Sequence, residues 1–156
     1  MEYNLADLYE SIADVVPDNL ALSTGEVKRT YAELDKRANR LAHYFQSRGI
    51  GQGDHVGLHL FNGHEFVEAI LALFKIRAVG ININYRFVAP EVRYMIDNAD
   101  LKGIVTQRRS LPVINEANAG LDPLFIELLG IAGAAWATAA SNALGAGILW
   151  WVLARR

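Results

Sequence analysis

Four histidines, two glycine-bearing turns and one pair of glutamates are the residues of this chain whose types and spacing invite a chemical reading. In "HVGLHLF", His55 and His59 fall on one side of an extended strand, but four residues separate them by about 13 Å, too far to share one metal ion. Chelation would require a helix there instead. His43 and His64 read as helix-surface residues. "STGEVK", Ser23 to Lys28, offers hydroxyls, a glycine and a lysine to a phosphate, yet it lacks the paired glycines of a phosphate loop and stands in a hairpin. It reads as a turn. "GIGQG", Gly49 to Gly53, has the look of an anion cradle, but Gly49 is used to end a helix and no helix follows to aim its amides at an anion. Glu65 and Glu68 stand three apart on a helix face, a spacing shared by many solvated pairs, and are taken as surface charge. Ser11, Ser23, Ser47, Ser110 and Ser141 lack an acid–base pattern and a Gly-x-Ser-x-Gly elbow. No catalytic, cofactor-binding or metal-binding residue is therefore assigned.

Composition bounds the function further. A chain of 156 residues holds one domain with a real core, and a formal charge of -2 with a pI near 6.1 gives no electrostatic footprint for nucleic acid. With no cysteine, disulfides, thiol nucleophiles and thiolate metal sites are excluded. The acidic start "MEYNLADLYES" has no apolar run and does not read as a secretory signal, which predicts a cytoplasmic N-terminal part. Charge is unevenly spread: all but Glu116, Asp122, Glu127, Arg155 and Arg156 lie before Ser110. That shift sets the expected organisation as a charged unit over 1–109, a linker over 110–120 ("SLPVINEANAG", without a clean period) and a hydrophobic helical segment over 121–156.

Within the charged unit, the spacing of Leu5, Leu8, Ile12 and Val15 predicts a helix capped by Asn4 and limited by Pro17. "LALSTGEVKRTY" predicts a hairpin around Thr24, Gly25 and Glu26. Thr30 and Glu33 form a capping box for a helix whose apolar face is Leu34, Ala38, Leu41, Ala42 and Phe45, ended by Gly49 in the left-handed position. "HVGLHLF" alternates as a strand. Asn62 and Glu65 repeat the capping logic for a helix reaching about Arg77, "GININY" is a second strand, Pro90 opens a further helix, and "GIVTQ" is a third strand. Alternation of helix and strand predicts an α/β fold with a parallel or mixed sheet covered by helices.

The stretches "TYAELDKRANRLAHYF", "GQGDHVGL", "NGHEFVEAILALFK" and "NINYRFVAPEVRYMIDNAD", in this order and spacing, resemble the N-terminal part of the AMP-forming adenylating enzymes, most of all bacterial fatty-acid–CoA ligases. The resemblance covers about Tyr3 to Arg109, and departs from the family at Ile76, where a small residue is usual, and at Gly80, where proline is common. It implies the N-terminal subdomain of such an enzyme and a two-step reaction: ATP and a fatty acid give an acyl-adenylate, and coenzyme A then takes the acyl group. It implies ATP, magnesium and coenzyme A for the complete enzyme. The family's phosphate loop, magnesium ligands, adenylation lysine and C-terminal lid have no counterpart within the resemblance, so none of these cofactors is expected on this chain.

From Leu128 to Ala154 about 27 residues carry no charge, enough for about 40 Å of helix and more than a bilayer core requires. Trp150 and Trp151 beside Arg155 and Arg156 fit a membrane–water interface, so a lipid-embedded helix over 128–154 is preferred to a buried hairpin. Gly133, Ala137 and Ser141, each four apart, form a face suited to helix–helix self-association. "LDPLFIELLGIAGAAWATAASNALGAGILWWVLARR" resembles one transmembrane segment of the multidrug and toxic-compound extrusion transporters, and it carries no ionisable residue inside the span to mark a transport pathway.

The expectation is thus a truncated or chimeric piece of an ATP-dependent fatty-acid–CoA ligase, inactive alone. Natural fusion, deletion, deliberate construction and sequence error would all give this pattern. The rival is a small α/β binding module tethered to a membrane by its tail.

Overall fold

Asn4 starts the first helix as its spacing predicts: its side chain accepts from the amides of Ala6 and Asp7, and the Asp7 carboxylate accepts from the amide of Asn4. The computed structural model describes residues 4–118 and the backbone of residues 125–128. Helix α1 (Leu5–Val15) is followed by an antiparallel hairpin of β1 (Leu20–Thr24) and β2 (Val27–Thr30), turned at Gly25 with φ of 56°. The reciprocal box of Thr30 and Glu33 opens α2 (Tyr31–Ser47). Its end is closed by Gly49 at φ 82°, with the Ile50 amide donating to the Phe45 carbonyl at 3.0 Å.

The second sheet is parallel, in the order β4–β3–β5–β6. Its members are β3 (His55–His59), β4 (Val79–Asn82), β5 (Leu101–Thr106) and β6 (Phe125–Leu128). Helix α3 (His64–Lys75) joins β3 to β4, and α4 (Ala89–Asn98) carries the chain back over β3 to β5. One core lies between the sheet and α2 and α3, where Phe45, Val56, Leu58, Leu73 and Val105 are buried. A second lies on the other face, where Ile83, Val92, Ile104 and Ile114 pack. The helices following β3 and β4 therefore cover opposite faces, a doubly wound arrangement that places the loops after these strands on either side of a crevice at their carboxyl ends.

Several local expectations are corrected. Helix α3 is capped by Gly63 without a side-chain bond, not by Asn62, because the Glu65 carboxylate turns to His64 Nδ1 at 3.3 Å. The helix ends at Lys75, and Arg77 takes a left-handed φ of 58° in the turn into β4. The linker expected over 110–120 contains α5 (Leu111–Ala117), preceded by a 3-10 turn over Arg108–Ser110. Pro112 suits a first helical turn, and Ile114 and Ala117, three apart, are buried in the second core. The helical segment expected over 121–156 is contradicted at Phe125–Leu128, whose backbone extends the sheet as β6 beside β5. Nearly all of the 128–154 span and the Gly133, Ala137 and Ser141 face lie outside the described residues. Among the described residues no helix is long and apolar enough to cross a membrane.

Candidate functional site at the carboxyl rim of the sheet

In an open parallel sheet, ligands are received outside the carboxyl ends of the strands, where neighbouring crossovers diverge. Here the chain leaving β3 brings Phe61, the chain leaving β4 brings Asn84, Tyr85 and Arg86, and the chain leaving β5 brings Gln107 and Arg109. The rings of Phe61 and Tyr85 stack with centroids 4.0 Å apart and planes at 27°. The Arg109 guanidinium lies 3.5 Å from the Phe61 ring centre. Two groups this close to one centroid exclude each other from a single face, so Phe61 is held between Tyr85 and Arg109. Gln107 Oε1 accepts from Arg109 Nε at 2.9 Å and Nη2 at 2.6 Å, fixing the guanidinium plane. Asn84 Oδ1 accepts from the Arg86 amide at 3.0 Å, and Arg86 stands 5.4 Å from the Tyr85 ring.

Beneath this layer, His59 ends β3 and is 1% exposed. Its Nδ1 lies 3.3 Å from Thr106 Oγ1, while that hydroxyl donates to the His59 carbonyl at 3.3 Å. With the hydroxyl proton so used, Nδ1 is the donor of the pair and Nε2 an acceptor, and Nε2 has no hydrogen-bond partner. Burial holds this imidazole below the usual histidine value, in its neutral form.

His55 and His59 do not meet: Nδ1 of His55 is 2.6 Å from the Ala99 carbonyl, a contact with the end of α4. His43 is exposed as expected, whereas His64 is buried against its helix start. Glu68 is not surface charge. It is 2% exposed and accepts from Arg37 Nε at 2.5 Å, so it ties α3 to α2. Its signal was available in the sequence, since Glu68 shares the helical face of the apolar residues Leu71 and Ala72. The hairpin containing Ser23 to Lys28 turns at Gly25 with no helix N-terminus behind it. Among the described residues no group of three or more His, Asp or Glu side chains could hold a metal. These residues therefore do not fit a magnesium–triphosphate site. The rim instead has the chemistry of a binding wall: planar cation, stacked rings and amide donors, without a nucleophile beside a base.

This doubly wound α/β unit has the fold of the N-terminal subdomain of adenylate-forming enzymes. It superposes on an anthranilate CoA ligase solved with anthranoyl-AMP, with a TM-score of 0.81 at 24% identity, over 87% of this chain and 27% of that one. It also superposes on the N-terminal domain of FACL13 from Mycobacterium tuberculosis, with a TM-score of 0.78 at 30% identity, over 87% of this chain and 36% of that one. In sequence it is 48% identical over 109 residues to a 3-oxocholest-4-en-26-oate–CoA ligase of Rhodococcus rhodochrous, covering 70% of this chain and 20% of that enzyme. A medium/long-chain-fatty-acid–CoA/3-oxocholest-4-en-26-oate–CoA ligase of Mycobacterium marinum is 45% identical over 106 residues, 68% of this chain and 19% of that one. The sequence profile described as AMP-binding enzyme matches residues 9–140, and the chain belongs to that family. It spans about a fifth of the length of these curated relatives. The profile also crosses residues 121–140, part of the stretch that resembles a transporter segment, and that resemblance finds no support among these matches.

Proposed function

We propose that residues 4–118 are the N-terminal subdomain of an ATP-dependent CoA ligase for a hydrophobic carboxylic acid, of fatty-acid or steroid side-chain type, and that the chain alone forms no acyl-CoA. The observation carrying the substrate class is the 48% identity to the Rhodococcus enzyme over 109 residues. The inactivity of the chain alone is argued from chemistry: acyl-adenylate formation needs a divalent cation held against a developing pentavalent phosphate, and no group of three or more His, Asp or Glu side chains among the described residues could hold one. In this reading Arg109, Phe61 and Tyr85 shape one side of a ligand cleft and exclude water from it, while the remainder of a complete ligase carries the reacting groups.

The experiment has two arms. The full chain with ATP, magnesium and a fatty acid is expected to show no pyrophosphate exchange above a protein-free control; exchange would overturn the claim of inactivity. Replacing the matching segment of the Rhodococcus ligase by residues 4–118 is expected to leave a working ligase. A folded but inactive hybrid would remove the support for the subdomain role.

A further inference from the structure

Helix α1 is mounted the wrong way round for a surface helix. Its inward side is made of Ala6, Ala13, Tyr9 and Glu10, with the Tyr9 hydroxyl donating to the Tyr31 carbonyl at 3.1 Å and Glu10 paired to Lys75. Its outward side is Leu5, Leu8, Ile12 and Val15, exposed by 58%, 56%, 45% and 79%. These positions recur at helical spacing and form one stripe. At the Leu5 end the stripe opens onto a cleft of about 470 Å³ that Phe74 and Ala78 also line.

We infer that this stripe is the seat of polypeptide that follows the segment in a complete CoA ligase, an apolar surface bordered by lysine or arginine. The inference rests on the function proposed above. Two observations select the occupant. First, four such side chains expose roughly 400 Å², about half of what each partner buries in a stable interface between separate proteins, whereas within one polypeptide a patch of this size suffices. The matched segment is 20% of the Rhodococcus enzyme, so such relatives contain the further polypeptide needed. Secondly, α1 carries no basic residue, Glu10 is paired with Lys75, and the exposed Asp14 and Asp18, at and just beyond the end of the helix, make this end acidic. That charge disfavours a second copy, which would face acid with acid.

The test uses Ile12→Cys, since the chain has no cysteine of its own. Maleimide labelling of the peptide containing residue 12 is followed by mass spectrometry in the full chain and in the Rhodococcus hybrid carrying residues 4–118. Labelling is expected to be fast and independent of concentration in the full chain, and at least about tenfold slower in the hybrid. Equal rates in the two proteins would overturn the inference. So would protection in the chain alone, because its own C-terminal stretch, or at high concentration a second copy, would then already occupy the stripe. A hybrid that does not fold would also count against it, since a complementary seat should stabilise the joined protein. As a second reading, Leu8→Asp should lower the melting temperature of the hybrid and leave that of the full chain unchanged. A protected but inactive hybrid would sustain this inference and sink the proposed function instead.

Discussion

Arg109 lies over one face of the Phe61 ring while Tyr85 stacks on the other, so the loops leaving three strands of the sheet are locked together through a single aromatic side chain. Such a clasp stabilises as well as shapes. A cation over a ring is worth about 0.5–1 kcal/mol near the surface, and an aromatic pair about 0.5–1.5 kcal/mol beyond its burial. Phe61→Leu should therefore lower stability by about 1–2 kcal/mol and Arg109→Ala by about 0.5–1 kcal/mol. In the double variant the losses should fall short of their sum, because both act through one ring. Strict additivity in chemical denaturation would show that the three loops are not coupled.

The Arg37–Glu68 pair makes the opposite kind of contribution. Glu68 is 2% exposed and Arg37 is its charge partner across the α2–α3 contact, so Arg37→Met should leave a buried carboxylate unpaired at a cost of about 3–5 kcal/mol. Arg37→Met combined with Glu68→Met should recover most of that loss, since the double change leaves no stranded charge. Thermal melts of the three variants decide it. A double variant as unstable as Arg37→Met would mean the pair acts through packing alone.

Much of this architecture was legible beforehand because it is local. The cap at Asn4, the box at Thr30 with Glu33 and the glycine at position 49 each need only a few neighbouring residues, whereas β3 forms as a strand but is buried on both faces instead of alternating. Where tertiary contacts decide, local spacing does not carry the structure. Glu65 had the spacing of a capping residue but was drawn to His64, and "LPVINEA" had no obvious period but found a buried seat for Ile114 and Ala117. The rim was illegible for the same reason: Phe61, Tyr85 and Arg109 are brought together only by a crossover that returns over β3.

Lys75 links three helices, contacting Glu10 of α1 and lying 2.8 Å from Asp35 of α2. Burial alone would pull its ammonium down, but the hydrogen bonds to Asp35 and Glu10 prevail and raise it above the ordinary lysine value. A raised folded-state value means this contribution is fully present below the unfolded value of about 10.5 and is lost as pH rises through the folded one. Lys75→Met should thus destabilise the chain at neutral pH and erase the part of the alkaline loss that this group causes. Denaturation at neutral pH and above about pH 10.5 compares them. Identical alkaline slopes for parent and variant would refute the linkage.

Gly57 sits in the middle of β3 with no room for a side chain. A Cβ there would lie 2.7 Å from Ile83 Cδ1, 2.9 Å from Leu101 Cδ1 and 3.0 Å from Ile104 Cγ1. Three neighbours would have to move together in a packed core, so Gly57→Ala should cost about 1–3 kcal/mol despite the better strand propensity of alanine. Gly80→Ala meets one close atom, Ile70 Cδ1 at 2.5 Å, the free end of a side chain. It should cost less. Urea midpoints for the two variants should fall in that order, and the reverse order would show that the second core yields more readily than the first.

The buried imidazole of His59 provides a pH test of the rim. Its folded-state value is depressed by burial, and Nε2 has no partner to share an added proton. Below the ordinary value of about 6.5 the unfolded chain binds a proton at this residue that the folded chain resists, so stability must fall as pH drops through that point. The limiting slope for one such proton is about 1.4 kcal/mol per pH unit, continuing until the folded imidazole itself titrates. His59→Leu removes the titration and keeps the volume of the site, while Thr106 retains the His59 backbone carbonyl as its acceptor. From about pH 7.5 to about pH 5 the variant should therefore show a shallower fall in unfolding free energy than the parent. Should the two curves run parallel, the proton uptake that destabilises the fold in acid would have to be sought at another group.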